Sequence, residues 1–166
     1  ATGMVIGTLV VLVYTLFGGM WSVALTDFFQ MIIIVVGLTL IAVFAADHAG
    51  GVGKVVEYAQ TRDLFQFFPD GGLHGWLFWV GAAITIMIGS IPQQDVFQRV
   101  MSAKSADIAV KGPIIGGISY TLFAGVPMFI GLSAFLIMPD AANALLEDDS
   151  QKILPTLVME HMPVWL

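Results

Sequence analysis

The sequence predicts an all-α membrane protein with about four transmembrane helices, the third of them broken, and three observations lead there. The 166 residues are 58% hydrophobic and only 11% charged, less than half of the roughly 25% that soluble domains carry. The mean hydropathy is +0.91. Apolar residues also gather in four long runs, each near the ~20 residues needed to cross a hydrocarbon core of about 30 Å. A chain in lipid must satisfy its own backbone, so these runs read as helices rather than buried strands.

The helices are expected at about 1–17, 22–46, 75–104 and 106–138, with outer connectors at 47–74 and 139–163, all in a single transmembrane unit. The first run opens on Ala1 and has neither the basic region nor the small-residue cleavage pattern of a signal peptide. It reads as the remainder of a longer membrane helix. Pro163-Val164-Trp165-Leu166 stops as apolar residues resume, so the whole reads as an internal piece of a longer protein. Gly18 and Gly19, between Phe17 and Met20-Trp21, mark a tight turn with a tryptophan suited to the membrane interface. The second run lies between Asp27 and Asp47 with no charge inside. Asp27, beside Thr26, reads as a helix-start acid.

The connector 47–74 holds a short helix over 54–61 and an aromatic cluster, Phe65, Phe67 and Phe68. The fourth run, 112–138, is long enough to span with a kink at Pro127. Beyond it Asp140 is placed to cap one short helix, and Pro155 suits the first turn of another. Orientation follows from Lys and Arg. Arg99, Lys104 and Lys111 crowd a short connector, whereas Lys54 and Arg62 are diluted among acids, so the 95–111 connector is expected in the cytoplasm.

Chemistry concentrates at Gly89-Ser90-Ile91-Pro92-Gln93-Gln94-Asp95. Pro92 removes a backbone donor and clashes with the carbonyl one turn back. Backbone groups freed at membrane depth are tolerated only beside protein or a wet cavity, and transporters hold ions and solutes at such breaks. The same residues also fit a simple proline kink. Gln93, Gln94, Asp95, Gln98 and Arg99 form a polar half-helix, in which Asp95 and Arg99, four apart, can pair on one face as an interfacial anchor or an inner gate. Ser105 is placed to cap the next helix. Tyr120 interrupts the fourth run and is read either as a cavity residue or as a helix-to-helix hydrogen bond, and Gly112 and Gly116 as a packing pair.

Several classes are excluded. Six Lys and Arg against twelve Asp and Glu, net −6, leave no basic stripe for nucleic acid. The absence of Cys removes thiolate metal sites and cysteine nucleophiles. His48, His74 and His161 lie in or beside connectors without metal-ligand spacing, and no Ser/His/Asp set or phosphate loop occurs, so the chain does not read as an enzyme.

Two stretches carry a family resemblance. Phe17-Gly18-Gly19-Met20-Trp21 running on to Thr26-Asp27-Phe28-Phe29-Gln30 resembles the glycine-glycine to Thr-Asp to Gln signature of the sodium:solute symporter family. Gln98-Arg99-Val100-Met101-Ser102-Ala103-Lys104-Ser105 is similar to its Gln-Arg-x-x-x-Ala-Lys-Ser signature, and Ile153-Leu154-Pro155 precedes a short outer helix as in that family. The resemblance implies a fragment of an inverted-repeat (five-plus-five helix) secondary transporter, holding the end of one repeat and the start of the next. It implies sodium as coupling ion, with its main site outside this stretch, and no covalently bound cofactor. By position it makes Thr85, Ile86, Gly89, Ser90, Gln93 and Tyr120 substrate-facing, with Pro92, Gln94, Asp95 and Arg99 at the gate or helix break. Gly89-Ser90-Ile91-Pro92 with Phe97-Gln98-Arg99-Val100 looks most like the choline-transporter-like branch. That branch has a tryptophan after the proline, suited to a quaternary ammonium. Gln93 stands there instead, which leaves other small organic solutes, amino acids or carboxylates, open.

The expected function is therefore one part of a sodium-coupled symporter in the plasma (inner) membrane, moving a small organic solute by alternating access. Its partners would be the bilayer, the solute, sodium and the remaining helices of the transporter. The alternative is a non-transporting, symporter-like sensor or scaffold domain.

Overall fold

The computed structural model describes residues 2–89, 91 and 93–163, and of Asp95 only the backbone. Helix α1 runs over Thr2–His48, α2 over Val52–Thr61, α3 over Gly72–Gly89 and α4 over Gln94–Met101. Then follow α5 (Ala106–Phe123), α6 (Gly125–Ile137), α7 (Pro139–Asp148), a 3-10 turn at Ser150–Lys152, and α8 (Ile153–His161). No strand occurs among the described residues.

Three stretches are long and apolar enough to cross a membrane: Thr2–His48, Gly72–Gly89 and Ala106–Ile137. The first has 47 residues, about 70 Å of helix, more than twice a hydrocarbon core. It is divided at Gly19, whose φ of 54° and ψ of −147° are not helical. Only glycine enters that region without a Cβ penalty. The two expected segments thus form one helix with a kink. The turn expected over 17–21 shrinks to one residue, because a single glycine absorbs the change of direction. Asp27 is consequently not a helix-start acid: it lies two turns inside the second arm, beside Thr26 and about a turn from Gln30.

The third expected helix, 75–104, is two: α3 ends at Gly89 and α4 begins at Gln94. Ser90 and Pro92 lie outside the described residues. The fourth is continuous in direction from 106 to 137 apart from a turn at Ala124. Pro127 accounts for the turn, since it has no N–H for the carbonyl of Phe123 and its ring crowds that carbonyl. Asp140 does not cap α7. Met138 is the N-cap and Pro139 the first helical residue, a position that suits proline's fixed φ and missing donor. Asp140 falls instead in the first turn, where the helix dipole favours a carboxylate. Ser105 does cap α5, accepting a hydrogen bond from Ile108 N at 3.3 Å.

The core gathers at one end of the molecule. Ala45 of α1, Ile130, Ala134 and Met138 in and after α6, Ala142 of α7, Leu157 of α8 and Met162 form one buried cluster. Val55 and Ala59 of α2 are also buried, and α2 packs on α6. Alanine recurs at these contacts because a small side chain lets helix backbones approach closely. Ser133, wholly buried, satisfies its hydroxyl by donating to the Phe129 carbonyl at 2.8 Å. The two connectors 47–74 and 139–163 therefore close over the same end of α6. At the same end Phe67 and Phe68 meet Trp76 and Trp79 of α3, with ring centroids 5.2 to 6.0 Å apart. The expected aromatic cluster thus recruits tryptophans of the following helix, while Phe65 stands apart and exposed.

Candidate functional site

The interruption after α3 is the first feature of the site. Gln93, the N-cap of α4, is extended (φ −65°, ψ 124°) and makes no side-chain cap. Ile91 N still donates to the Ile88 carbonyl at 3.1 Å, closing α3 with a tight turn. Termination there ends the regular backbone ladder, so groups at the end of α3 depend on partners beyond it, as the Ile88 carbonyl does on Ile91 N. Helix α3 has 18 residues, about 27 Å, close to the thickness of a hydrocarbon core. Its tryptophans sit near one end and the polar stretch from Gln93 to Arg99 follows the other.

Of the residues expected to face a substrate, Thr85 and Ile86 share one face of α3. They border a shallow depression with Leu77, Phe78, Gly81 and Ala82. The Thr85 hydroxyl donates to the Gly81 carbonyl at 2.7 Å. Gly89 ends α3 with open space where a Cβ would stand, and Gln93 and Gln94 are exposed. Tyr120 is 77% exposed on α5. Helix α3 buries no residue and has no extensive helix partner among the described residues, whereas α5 packs on α4 and α6. The structure therefore brings Thr85 and Ile86 together but does not bring Tyr120 to them.

A second feature escaped the sequence. Arg99 Nη2 donates to Asp27 Oδ2 at 2.7 Å, across 72 positions. The expected partner of Arg99 was Asp95, whose side chain lies outside the described residues. Three residues further, Ser102 Oγ lies 2.7 Å from the Gln98 carbonyl, which takes its proton, and 3.2 Å from Met20 Sδ. Between the two segments opens a cleft of about 680 Å³, bordered by Thr15, Gly19, Met20, Gln98, Arg99 and Ser102. Both partners are partly exposed, at 59% for Arg99 and 37% for Asp27, so the pair stabilises by roughly 0–1 kcal/mol. Local spacing could not disclose a pair made by folding, although Asp27 inside a membrane-length helix is a carboxylate that needs a partner.

The remaining charges are local. Lys111 pairs with Asp107 at 2.9 Å one turn away, and Lys152 lies 3.3 Å from Asp149. Arg62 stacks over the Tyr58 ring at 5.2 Å. His48 Nδ1 is 2.9 Å from the Phe44 carbonyl. His161, expected to be solvated, instead has Nδ1 enclosed without a hydrogen-bond partner among the described residues, because α8 folds back onto the core beside Leu157. No group of three or more His, Asp or Glu side chains converges among the described residues.

Helices long and apolar enough to cross a membrane, a helix break directly after one of them and an ion pair between distant helices define an integral membrane protein. The sequence model of the sodium:solute symporter family matches residues 1–166, and the chain belongs to that family. It is similar to High affinity choline transporter 1 of Homo sapiens, 29% identical over 171 residues, covering 98% of this chain and 29% of that protein. It is also similar to Sodium/glucose cotransporter 4 of Danio rerio, 28% identical over 186 residues, covering 91% of this chain and 28% of that one. High-affinity proline transporter PutP of Bacillus subtilis (strain 168) is 42% identical over 76 residues, 45% of this chain and 16% of PutP. The chain thus spans less than a third of the length of these relatives. No solved structure matches it.

Proposed function

We propose that this chain is the part of a sodium-coupled symporter in which one wall of the solute site and the inner gate meet, and that the complete protein moves a small organic solute by alternating access. The observation that carries this is the interruption between Gly89 and Gln94, at the end of an apolar helix of span length. Irregular backbone beside a membrane span is tolerated only where it borders a wet cavity or protein. Thr85, Ile86, Gly89, Ser90 and Gln93 then line the solute site from α3. Tyr120 joins them when helices outside this stretch bring α3 and α5 together, which accords with the bare flank of α3. Pro92, Gln94, Asp95 and Arg99 form the break and the gate below it. Sodium is the coupling ion, and its main site belongs to helices outside this stretch.

The protein is placed in the plasma membrane with the 95–111 connector in the cytoplasm, in keeping with the basic residues there. One positive charge moving inward gains about 2.3 kcal/mol per 100 mV, enough for roughly 40-fold accumulation of a neutral solute. The choline, glucose and proline named in the relatives share small size rather than charge. Gln93 offers an amide at the position where the choline-transporter-like branch has an aromatic ring, which suits a neutral or zwitterionic solute better than a quaternary ammonium. The test is uptake of a panel of labelled solutes by the complete protein with and without sodium. Sodium-dependent uptake of at least one is expected, and none with any solute would leave a symporter-like sensor or scaffold as the better account.

A further inference from the structure

The cleft between α1 and α4 has two unlike walls. On α1, Met20, Val23 and Ala24 border it and Asp27 follows at helical spacing, so an apolar strip ends in a carboxylate. On α4, Gln98 and Arg99 supply an amide and a guanidinium. The cleft stands open at about 680 Å³ while Arg99 Nη2 donates to Asp27 Oδ2 at 2.7 Å. That bond uses one of the guanidinium's five N–H donors and one carboxylate oxygen. Neither charged head has a further hydrogen bond among the described residues, and both are partly exposed. Trp21 also borders the cleft and is 80% exposed. The helix that carries it is long and apolar enough to cross a membrane, and an exposed indole on such a helix belongs at the boundary between lipid and water. The cleft thus offers both signs of charge beside an apolar strip, at the depth where phospholipid headgroups lie.

We propose that this cleft is a phospholipid site, selective for a zwitterionic headgroup with a primary ammonium such as phosphatidylethanolamine. The ammonium donates to the second oxygen of Asp27, the phosphate accepts from the remaining N–H groups of Arg99 and from the Gln98 amide, and an acyl chain lies along Met20, Val23 and Trp21. The charges select the headgroup. An ion pair has no net charge, so a purely anionic headgroup is attracted by Arg99 and repelled by Asp27, whereas a headgroup of both signs lies antiparallel to the pair and gains at each end. Phosphatidylcholine carries the same two charges, but methyl groups replace its N–H donors, so it loses the charge-assisted hydrogen bond to Asp27. A soluble zwitterion matches the charges and leaves the apolar strip uncovered. The site does not depend on the solute or on the transport function proposed above.

The test uses the complete protein in detergent, stripped of copurified lipid, with binding of phosphatidylethanolamine, phosphatidylcholine and phosphatidylglycerol of one chain length read by native mass spectrometry. The ethanolamine lipid is expected to bind about tenfold more tightly than the choline lipid, the worth of one hydrogen bond between charged groups. Asp27→Asn should bring the two within about twofold of each other, and Arg99→Gln should weaken both. Equal affinities in the parent, an unchanged preference in Asp27→Asn, or tightest binding of phosphatidylglycerol would overturn the site. A second measurement needs neither charge variant and so guards against their failing to fold. In a background free of other reactive cysteines, Thr15→Cys, at the border of the cleft, is labelled by a soluble maleimide with each lipid and with soluble phosphoethanolamine. Phosphatidylethanolamine is expected to slow labelling about fivefold relative to phosphatidylcholine, one half of the tenfold preference, and phosphoethanolamine to leave the rate unchanged. A rate indifferent to lipid would mean that another part of the protein occupies the cleft, and equal protection by phosphoethanolamine that the site takes a free zwitterion; either result overturns the lipid site. Both measurements are made without uptake, so their failure leaves the transport function standing.

Discussion

Gly19 shows how one residue can set the course of a 47-residue helix. Its φ of 54° and ψ of −147° lie where a Cβ is strained even though nothing stands within 4 Å to collide with it. Gly19→Ala is therefore expected to destabilise the complete protein by about 1–3 kcal/mol, read as a lower Tm in detergent. Gly37→Ala, at a helical site equally open, should instead raise Tm or leave it unchanged, since alanine is favoured over glycine in a helix by about 1 kcal/mol. The polar residues of α3 and α5 give a second comparison. Gln93→Ala and Tyr120→Phe are expected to weaken sodium-dependent uptake, while Phe65→Ala, exposed in the connector beyond the aromatic cluster, should not. Identical uptake kinetics for the three would withdraw the substrate-facing assignment.

At the scale of elements, helices are held where small residues meet and left bare elsewhere. Ala45, Ala134 and Ala142 are fully buried, so Ala134→Leu should force α1 from α6 and cost about 1–3 kcal/mol. Leu157, also fully buried, fills the space beneath α8, and Leu157→Ala is expected to cost about 2–5 kcal/mol. Leu154→Ala, on the same helix but 37% exposed, should cost clearly less in the same melting experiment. The boundaries of these helices were legible in proportion to how local their causes are. Ser105 as a cap follows from its own side chain, and the interruption after Gly89 from glycine, serine and proline in succession. The start of α7 was misplaced by two residues because Asp140 and Pro139 are both good start signals, and proline at the first helical position prevailed. The merging of the first two runs was hidden because Gly18-Gly19 signals a turn without saying how long it is.

At the scale of the whole molecule, tryptophans lie near the start of α3 and basic residues follow beyond its end, from Arg99 to Lys111, which suggests how the chain sits in the bilayer. A cysteine at Lys104 should react with an impermeant reagent only from the cytoplasmic side, and one at Lys54 only from outside; the reverse pattern would invert the proposed orientation. By itself the sequence determined that this is a helical membrane protein of the symporter family, because hydropathy, helix-breaking residues and signature spacing are properties of consecutive residues. Tertiary structure alone decided that Arg99 answers to Asp27 across 72 positions and that α2, α7 and α8 cover one end of α6. Such pairings depend on how helices lean on one another. In lipid, where an apolar face gains little by choosing one apolar neighbour over another, that leaning is settled by small-residue contacts and by charges seeking partners, neither of which hydrophobic periodicity encodes.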